Sequence, residues 1–188
     1  MRVTPELRSR TEAAFRGEAG GLDQLIEAWL PVVLSWCSRL GGPRVDAEEA
    51  AHDTLMVVVR RLDSCYDAAR FPSWLFGITR RTLGRHRRRA FVARWVPGLT
   101  VDVRDPADGP ARLYAVSETS RRVQETLERM GADDREVLVL SLLEDRPDAE
   151  VAEMLEIPLG TMKSRLRRAR EKFLRLARAA DLQPGEEA

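Results

Sequence analysis

From Trp95 to about Ser117 the chain carries almost no apolar periodicity. Pro97, Gly98, Pro106, Gly109 and Pro110 interleave there with Asp102, Asp105 and Asp108. Such a stretch has nothing to bury and reads as a flexible linker, 95–117. It divides a chain of 188 residues into two small domains, 1–94 and 118–182, with an acidic frayed end at 183–188. Fully extended, its two dozen or so residues reach roughly 80 Å at about 3.3 Å each. The three-residue spacing of its aspartates is not a cation loop, because the central Gly and closing Glu of an EF-hand are missing. A solvated, negatively charged tether is the reading.

Both flanking stretches have helical periodicity, so the expected fold class is all-α, two small helical domains joined by that linker. In the first, Leu22, Leu25, Ile26, Trp29, Val33, Trp36 and Leu40 fall on one face, and Pro31 should kink the helix or start a second segment. After Gly41-Gly42-Pro43, Asp46 with Glu49 reads as a capping box. The helix it opens points Ala51, Leu55, Val58 and Leu62 inward. A polar loop, 63–70, precedes a further helix over 71–89. In the second domain Val123, Leu127 and Met130 share a face, and Asp133 with Glu136 resembles another capping box, opening an apolar helix over 137–143. A short helix over 149–155, a break at Ile157-Pro158 and a long helix from Gly160 make a helix-turn-helix.

Charge is balanced in total, with Lys+Arg 31 against Asp+Glu 30, but it is segregated locally. Between Arg80 and Arg94 stand seven arginines and His86 without a single acid. Arg81, Arg85 and Arg88 share a helical face there, opposite Leu75, Ile78 and Leu83. Solvated faces normally mix signs, so this one points to phosphate. In the last helix Met162, Leu166, Ala169, Phe173 and Leu176 form the core-facing stripe. The outward side is basic, from Lys163, Arg165, Arg167 and Arg168 onward, with Glu171 its lone acid. Thr161, Lys163 and Ser164 lie outward at the N-terminal end, the part of such a helix that enters a major groove. Of the aromatics before the arginine run, Trp74 reads as core, whereas Phe71 suits either a core or a base-stacking role.

Other chemistry finds no support. Cys37 and Cys65 lack metal-ligand spacing, and buried or incidental thiols are the expectation for them. His52 and His86 are isolated, no phosphate-binding Gly-rich loop occurs, and the acids sit at helix starts or in the linker, so neither an enzyme nor a metal site nor a cofactor is expected. No apolar run spans a bilayer and no secretory signal opens the chain, which predicts a cytoplasmic protein without membrane insertion.

Asp46-Ala47-Glu48-Glu49, followed by Phe71-Pro72-Ser73-Trp74-Leu75 and the arginine run, resembles region 2 of bacterial sigma-70 family sigma factors. Arg135-Glu136-Val137-Leu138-Val139-Leu140 and Ile157-Pro158-Leu159-Gly160-Thr161-Met162-Lys163-Ser164-Arg165-Leu166 resemble region 4. With only a linker between them, the two regions match the extracytoplasmic-function (ECF) group. The resemblance implies a sigma factor that binds core RNA polymerase and directs promoter-specific initiation by recognising −35 and −10 elements and melting the latter. It implies polymerase contact, to the β′ clamp helices, through Asp46, Glu48, Glu49, His52 and Asp53. It implies −10 contact through Phe71, Arg80, Arg81, Arg85 and Arg88. The −35 element would be read by Thr161, Lys163, Ser164, Arg165, Arg167 and Arg168, on a domain that also touches the β flap. An anti-sigma factor is a further implied partner.

Four departures from the family pattern stand out. His52-Asp53 replaces a frequent Gln-Glu, Arg81 a frequent Asn, Glu156 the turn Gly, and Pro147 a capping Ser or Thr. In a left-handed turn Glu156 should cost roughly 1 kcal/mol. Two other function classes compete: a stand-alone helix-turn-helix regulator, which should dimerise and bind its site unaided, and a nuclease, which would need clustered carboxylates.

Overall fold

In the computed structural model, which describes residues 4–93 and 117–179, every regular element is a helix, and no strand occurs among those residues. Helix α1 (Pro5–Phe15) begins with Pro at its first position and with the Thr4 hydroxyl accepting from the Leu7 amide at 3.2 Å. Helix α2 (Gly21–Gly41) runs unbroken through Pro31. Its buried face holds Leu25, Trp29, Val33, Trp36 and Leu40, as the periodicity predicts, but Leu22 is exposed. The reason is α1, which crosses at Gly21, where an added Cβ would stand 3.0 Å from Ala14 Cα.

Helix α3 (Ala47–Arg61) is capped by Asp46, whose carboxylate accepts from the Glu48 and Glu49 amides. Glu49 does not return the cap. Its carboxylate turns to helix α4 (Phe71–Ala93), accepting from Arg89 Nη1 at 3.1 Å. The loop between α3 and α4 holds two 3₁₀ turns, Leu62–Ser64 and Ala68–Arg70. Rings cross edge-on at the centre of these four helices: Trp29 on Phe71 at 5.3 Å between centroids, Trp36 on Phe76 at 5.1 Å. The Trp29 indole donates to Thr11 Oγ1 at 3.0 Å, which satisfies its buried N–H.

The second unit opens at Ser117, which caps helix α5 (Glu118–Glu128). Helix α6 (Ala132–Leu138) starts from Gly131 with no side-chain cap, so the Asp133/Glu136 capping box does not form. Glu136 is instead buried, at 3% exposure, and held from the other unit. The apolar run expected as ordinary helix widens into a π-helical turn, Val139–Leu143, with the Glu144 amide bonded to Val139 O. Asp145 follows at φ +53°. Helix α7 (Asp148–Met154) and helix α8 (Leu159–Ala179) form the helix-turn-helix, with Pro147 at the α7 N-cap position. The stripe Met162, Leu166 and Ala169 is buried.

The turn between α7 and α8 places Glu156 at φ +55°, the left-handed conformation expected of that position. Glu156→Gly is therefore expected to stabilise the chain by about 0.5–1 kcal/mol, read as a raised denaturation midpoint at unchanged m-value.

The units pack against one another, α4 on α7 and α2 on both α5 and α6. The linker, apart from Ser117, and the end at 183–188 lie outside the described residues.

Candidate nucleic-acid and polymerase interfaces

On α8 the buried stripe turns the opposite side to solvent, and Thr161, Lys163, Ser164, Arg167 and Arg168 are all exposed at its N-terminal half. Hydrogen bonds pre-set part of this row: Ser164 Oγ donates to Thr161 O at 2.9 Å and Arg168 Nε to Ser164 O at 3.4 Å. Lys163 Nζ is 3.9 Å from Asp148 and Arg167 Nη1 is 3.4 Å from Glu171, exposed pairs of the kind worth at most about 1 kcal/mol and readily exchanged for phosphate. Arg165 differs. It is partly buried beside the helix, 3.6 Å from Asp133, and braces α6 against α8. Lys172 Nζ does the same with Asp134 at 2.9 Å. Arg165 therefore stands apart from the exposed row with which the sequence groups it.

Helix α4 sorts its cations similarly. Arg81, Arg85 and Arg88 are exposed on the outer face. Arg80 is not. Its Nε stands 2.8 Å from Glu136 Oε2 across the boundary between the units, a charge contact whose angle falls short of a hydrogen bond. Burial pushes the Glu136 carboxyl above the usual range, and the neighbouring Arg80 and Arg87 only partly offset that. Phe71 is 1% exposed, in ring contact with Phe15, Trp29 and Trp74. In this structure the ring therefore packs in the core and shows no face on which a base could stack.

The acids of α3 face this basic helix. His86, 9% exposed, places Nε2 3.0 Å from Asp53 Oδ2 and Nδ1 3.8 Å from Glu49 Oε2. The isolation of His86 in sequence is thus misleading, since it ties the two helices together. His52, four residues before Met56 on the same α3 surface, is exposed, as are Glu49 and Met56. Asp46, Glu48 and Asp53 are half-buried.

A third group carries no sequence signal. Between the units, Arg135 Nη1 and Arg87 Nη1 each donate to Leu40 O at 3.0 Å, closing the C-terminus of α2 with two cations. Arg135 Nη2 also donates to Met130 O at 3.0 Å just beyond α5. The Trp36 indole donates to Glu144, whose other oxygen accepts from Arg146 Nε at 2.7 Å. Arg146 also pairs with Glu150, and its guanidinium carbon lies 6.0 Å from the Trp36 ring centre.

Both cysteines are buried and unpaired. Desolvation pushes the Cys37 thiol up to about 12 and raises Cys65 too. Since the thiolate is the reactive form, neither should react with a disulfide reagent at about pH 8 until denaturant is added, when two thiols per chain appear. Rapid labelling of the native protein would contradict their burial. Among the described residues there is no His, Cys, Asp and Glu cluster able to hold a metal, and no helix long and apolar enough to cross a membrane.

Comparison with known proteins matches residues 25–91 to "Sigma-70 region 2" and residues 120–173 to "Sigma-70, region 4", together more than half the chain. Over 175 residues the chain is 27% identical to the ECF RNA polymerase sigma factor SigW of Bacillus subtilis, covering 88% of this chain and 93% of SigW. It is 29% identical over 185 residues to the RNA polymerase sigma factor CnrH of Cupriavidus metallidurans, covering 91% and 95%. The solved structure of CnrH in complex with the cytosolic domain of CnrY superimposes with a TM-score of 0.65 at 26% identity, covering 93% of this chain and 98% of that one. RpoE of Bartonella quintana, solved with the anti-sigma factor NepR, superimposes at 0.67 and 24% identity over 85% of this chain and 98% of that one, a likeness of fold.

Proposed function

The chain belongs to the sigma-70 family of bacterial RNA polymerase sigma factors, in its extracytoplasmic-function group, and we propose from that premise that it directs core polymerase to promoters carrying paired −35 and −10 elements. The observation that carries the reading is the exposed row Thr161, Lys163, Ser164, Arg167 and Arg168 on the second helix of a helix-turn-helix matched to region 4. Short hydroxyl side chains and a lysine at the N-terminal end suit base edges and phosphate, and the arginines further along suit the backbone.

Within this reading the −10 element is met by Arg81, Arg85 and Arg88, with Arg80 joining once Glu136 releases it. Extrusion of a base costs a few kcal/mol and needs a pocket to offset it. With Phe71 committed to the core, that pocket falls to the exposed loop at 63–70 and the start of α4. The β′ clamp helices are met by the α3 surface, where exposed His52 and Met56 lie among Asp46, Glu48, Glu49 and Asp53. The β flap is met by the second unit, and the protein acts where the chromosome and polymerase are, in the cytoplasm. An anti-sigma factor is a natural partner, as NepR is for RpoE of Bartonella quintana.

The test is in vitro transcription with core polymerase over a randomised promoter library, with and without the protein. Two shared, spaced motifs dependent on the protein are expected; a discrete duplex site held without polymerase would point instead to a stand-alone regulator. Lys163→Ala and Arg168→Ala should each lower −35-dependent initiation about tenfold, on the order of 1–3 kcal/mol per contact, with unfolding curves unchanged. Unaltered promoter choice by the folded variants would remove α8 from the −35 role.

A further inference from the structure

Glu49 and Asp53 lie one turn apart on α3, and like charges so placed repel one another. Helix α4 answers them with two bases of different kinds. Arg89, permanently charged, donates to Glu49 Oε1 at 3.1 Å in an exposed pair. His86, 9% exposed, stands between the two acids, with Nε2 3.0 Å from Asp53 Oδ2 and Nδ1 3.8 Å from Glu49 Oε2. The other charged groups around α4 are engaged elsewhere. Arg85 donates to Thr82 Oγ1, and Arg87 to Leu40 O at the end of α2. Asp67 caps the turn Ala68–Arg70, and Glu136 of α6 meets Arg80. On α7, Asp148 and Glu150 pair with Lys163 and Arg146, and Glu153 is exposed.

The two ring nitrogens of His86 are therefore unequal. An ionised carboxylate only accepts, so the short contact with Asp53 puts a proton on Nε2. In the neutral ring Nδ1 then turns a lone pair toward Glu49. In the imidazolium Nδ1 carries a proton and attracts that carboxylate instead. An arginine in this place would hold both acids at every pH, whereas a histidine makes the hold on Glu49 conditional.

We propose that His86 is a positioning residue for polymerase binding. Protonated, it holds Asp53 and Glu49 back against α4; neutral, it lets Glu49 swing out, so affinity for core polymerase rises with pH across the histidine range. The inference rests on the α3 surface being the polymerase contact, as read above. A surface that carries Glu49 and Asp53 beside Asp46 and Glu48 fits a basic partner. That partner and the His86 proton compete for the same carboxylates, and each weakens the binding of the other by the same factor. Arg89 does not prevent the exchange, because exposed pairs of its kind hold weakly.

Calorimetric titration of the full chain into core polymerase reads affinity and proton release together when buffers of different ionisation enthalpy are compared. The unsubstituted chain should bind about three- to tenfold more weakly at about pH 6 than at about pH 8, and should release protons on binding. His86→Gln keeps an amide donor for Asp53 but cannot gain charge. At about pH 6 it should bind at least about threefold more tightly than the unsubstituted chain, and release fewer protons. His86→Arg should bind weakly at both pH values. The titrations of exposed His52 and of the polymerase are common to all three proteins and cancel in the comparison. Equal pH dependence with and without His86 would overturn the proposal. So would weaker binding by His86→Gln at both pH values, the mark of a brace alone. Nitrogen NMR of the free chain at about pH 8 should find the His86 proton on Nε2, and a proton on Nδ1 would overturn the arrangement. No binding to core polymerase by any of the three would sink the sigma-factor reading and the polymerase half of the proposal with it, whereas the ring tautomer tests the His86 half by itself.

Discussion

Arg146→Ala is expected to cost about 3–5 kcal/mol of unfolding free energy, much of what a domain of this size possesses. The side chains of Arg146 and Glu144 are each 2% exposed, and Nε of the first meets Oε2 of the second at 2.7 Å. With the guanidinium gone, Glu144 keeps only the Trp36 indole and stays desolvated and unpaired. The loss measures that stranded charge and not the worth of the pair. Glu144→Gln combined with Arg146→Met should recover most of it, because the double change removes both charges and preserves the volume. Urea unfolding of the three proteins decides the matter. A cost below about 1 kcal/mol for Arg146→Ala would mean that the pair is solvated.

Phe71→Ala should be comparably damaging, about 3–5 kcal/mol, since it empties the point where Phe15, Trp29 and Trp74 meet. Phe71→Leu should cost less, about 1–2 kcal/mol, by keeping most of the apolar bulk. The comparison separates two roles that the sequence leaves equally open. If Phe71 stacked on an extruded base, Phe71→Ala would spare stability and impair only open-complex formation. A variant of normal stability that fails to open the promoter would return Phe71 to the DNA surface.

Legibility of the sequence divides along a physical line. Periodicity exposes local faces, so the α2 and α8 stripes and the Asp46 cap could be read from residues alone, whereas the left-handed turn at Glu156 followed from the family resemblance. Contacts between distant segments leave no periodic trace. Glu136 has the spacing of a capping residue, and only its neighbour Arg80, 56 positions away, shows why Gly131 caps α6 instead. Leu22 has core spacing, and the close passage of α1 turns it outward. The π-helical turn was equally hidden, because Val139 to Leu143 reads as ordinary apolar helix. Within the candidate surfaces, residue type and position picked out the exposed basic rows, whereas the intramolecular partners of Arg80, Arg165 and His86 emerge only from the packed helices.

The division of labour along α4 has a consequence for ion release. Of the seven arginines from Arg80 to Arg94, Arg80 meets Glu136, Arg87 meets Leu40 O and Arg89 meets Glu49. Only Arg81, Arg85 and Arg88 lie exposed with no acidic partner among the described residues. A polyanion gains entropy from each counterion it sheds, in proportion to the phosphates neutralised, with a slope of about 0.7–0.9 per contact in log affinity against log salt. With its arginines paired as in this structure, the helix should therefore add about 2–3 to that slope, not the 5–6 that a count of its arginines suggests.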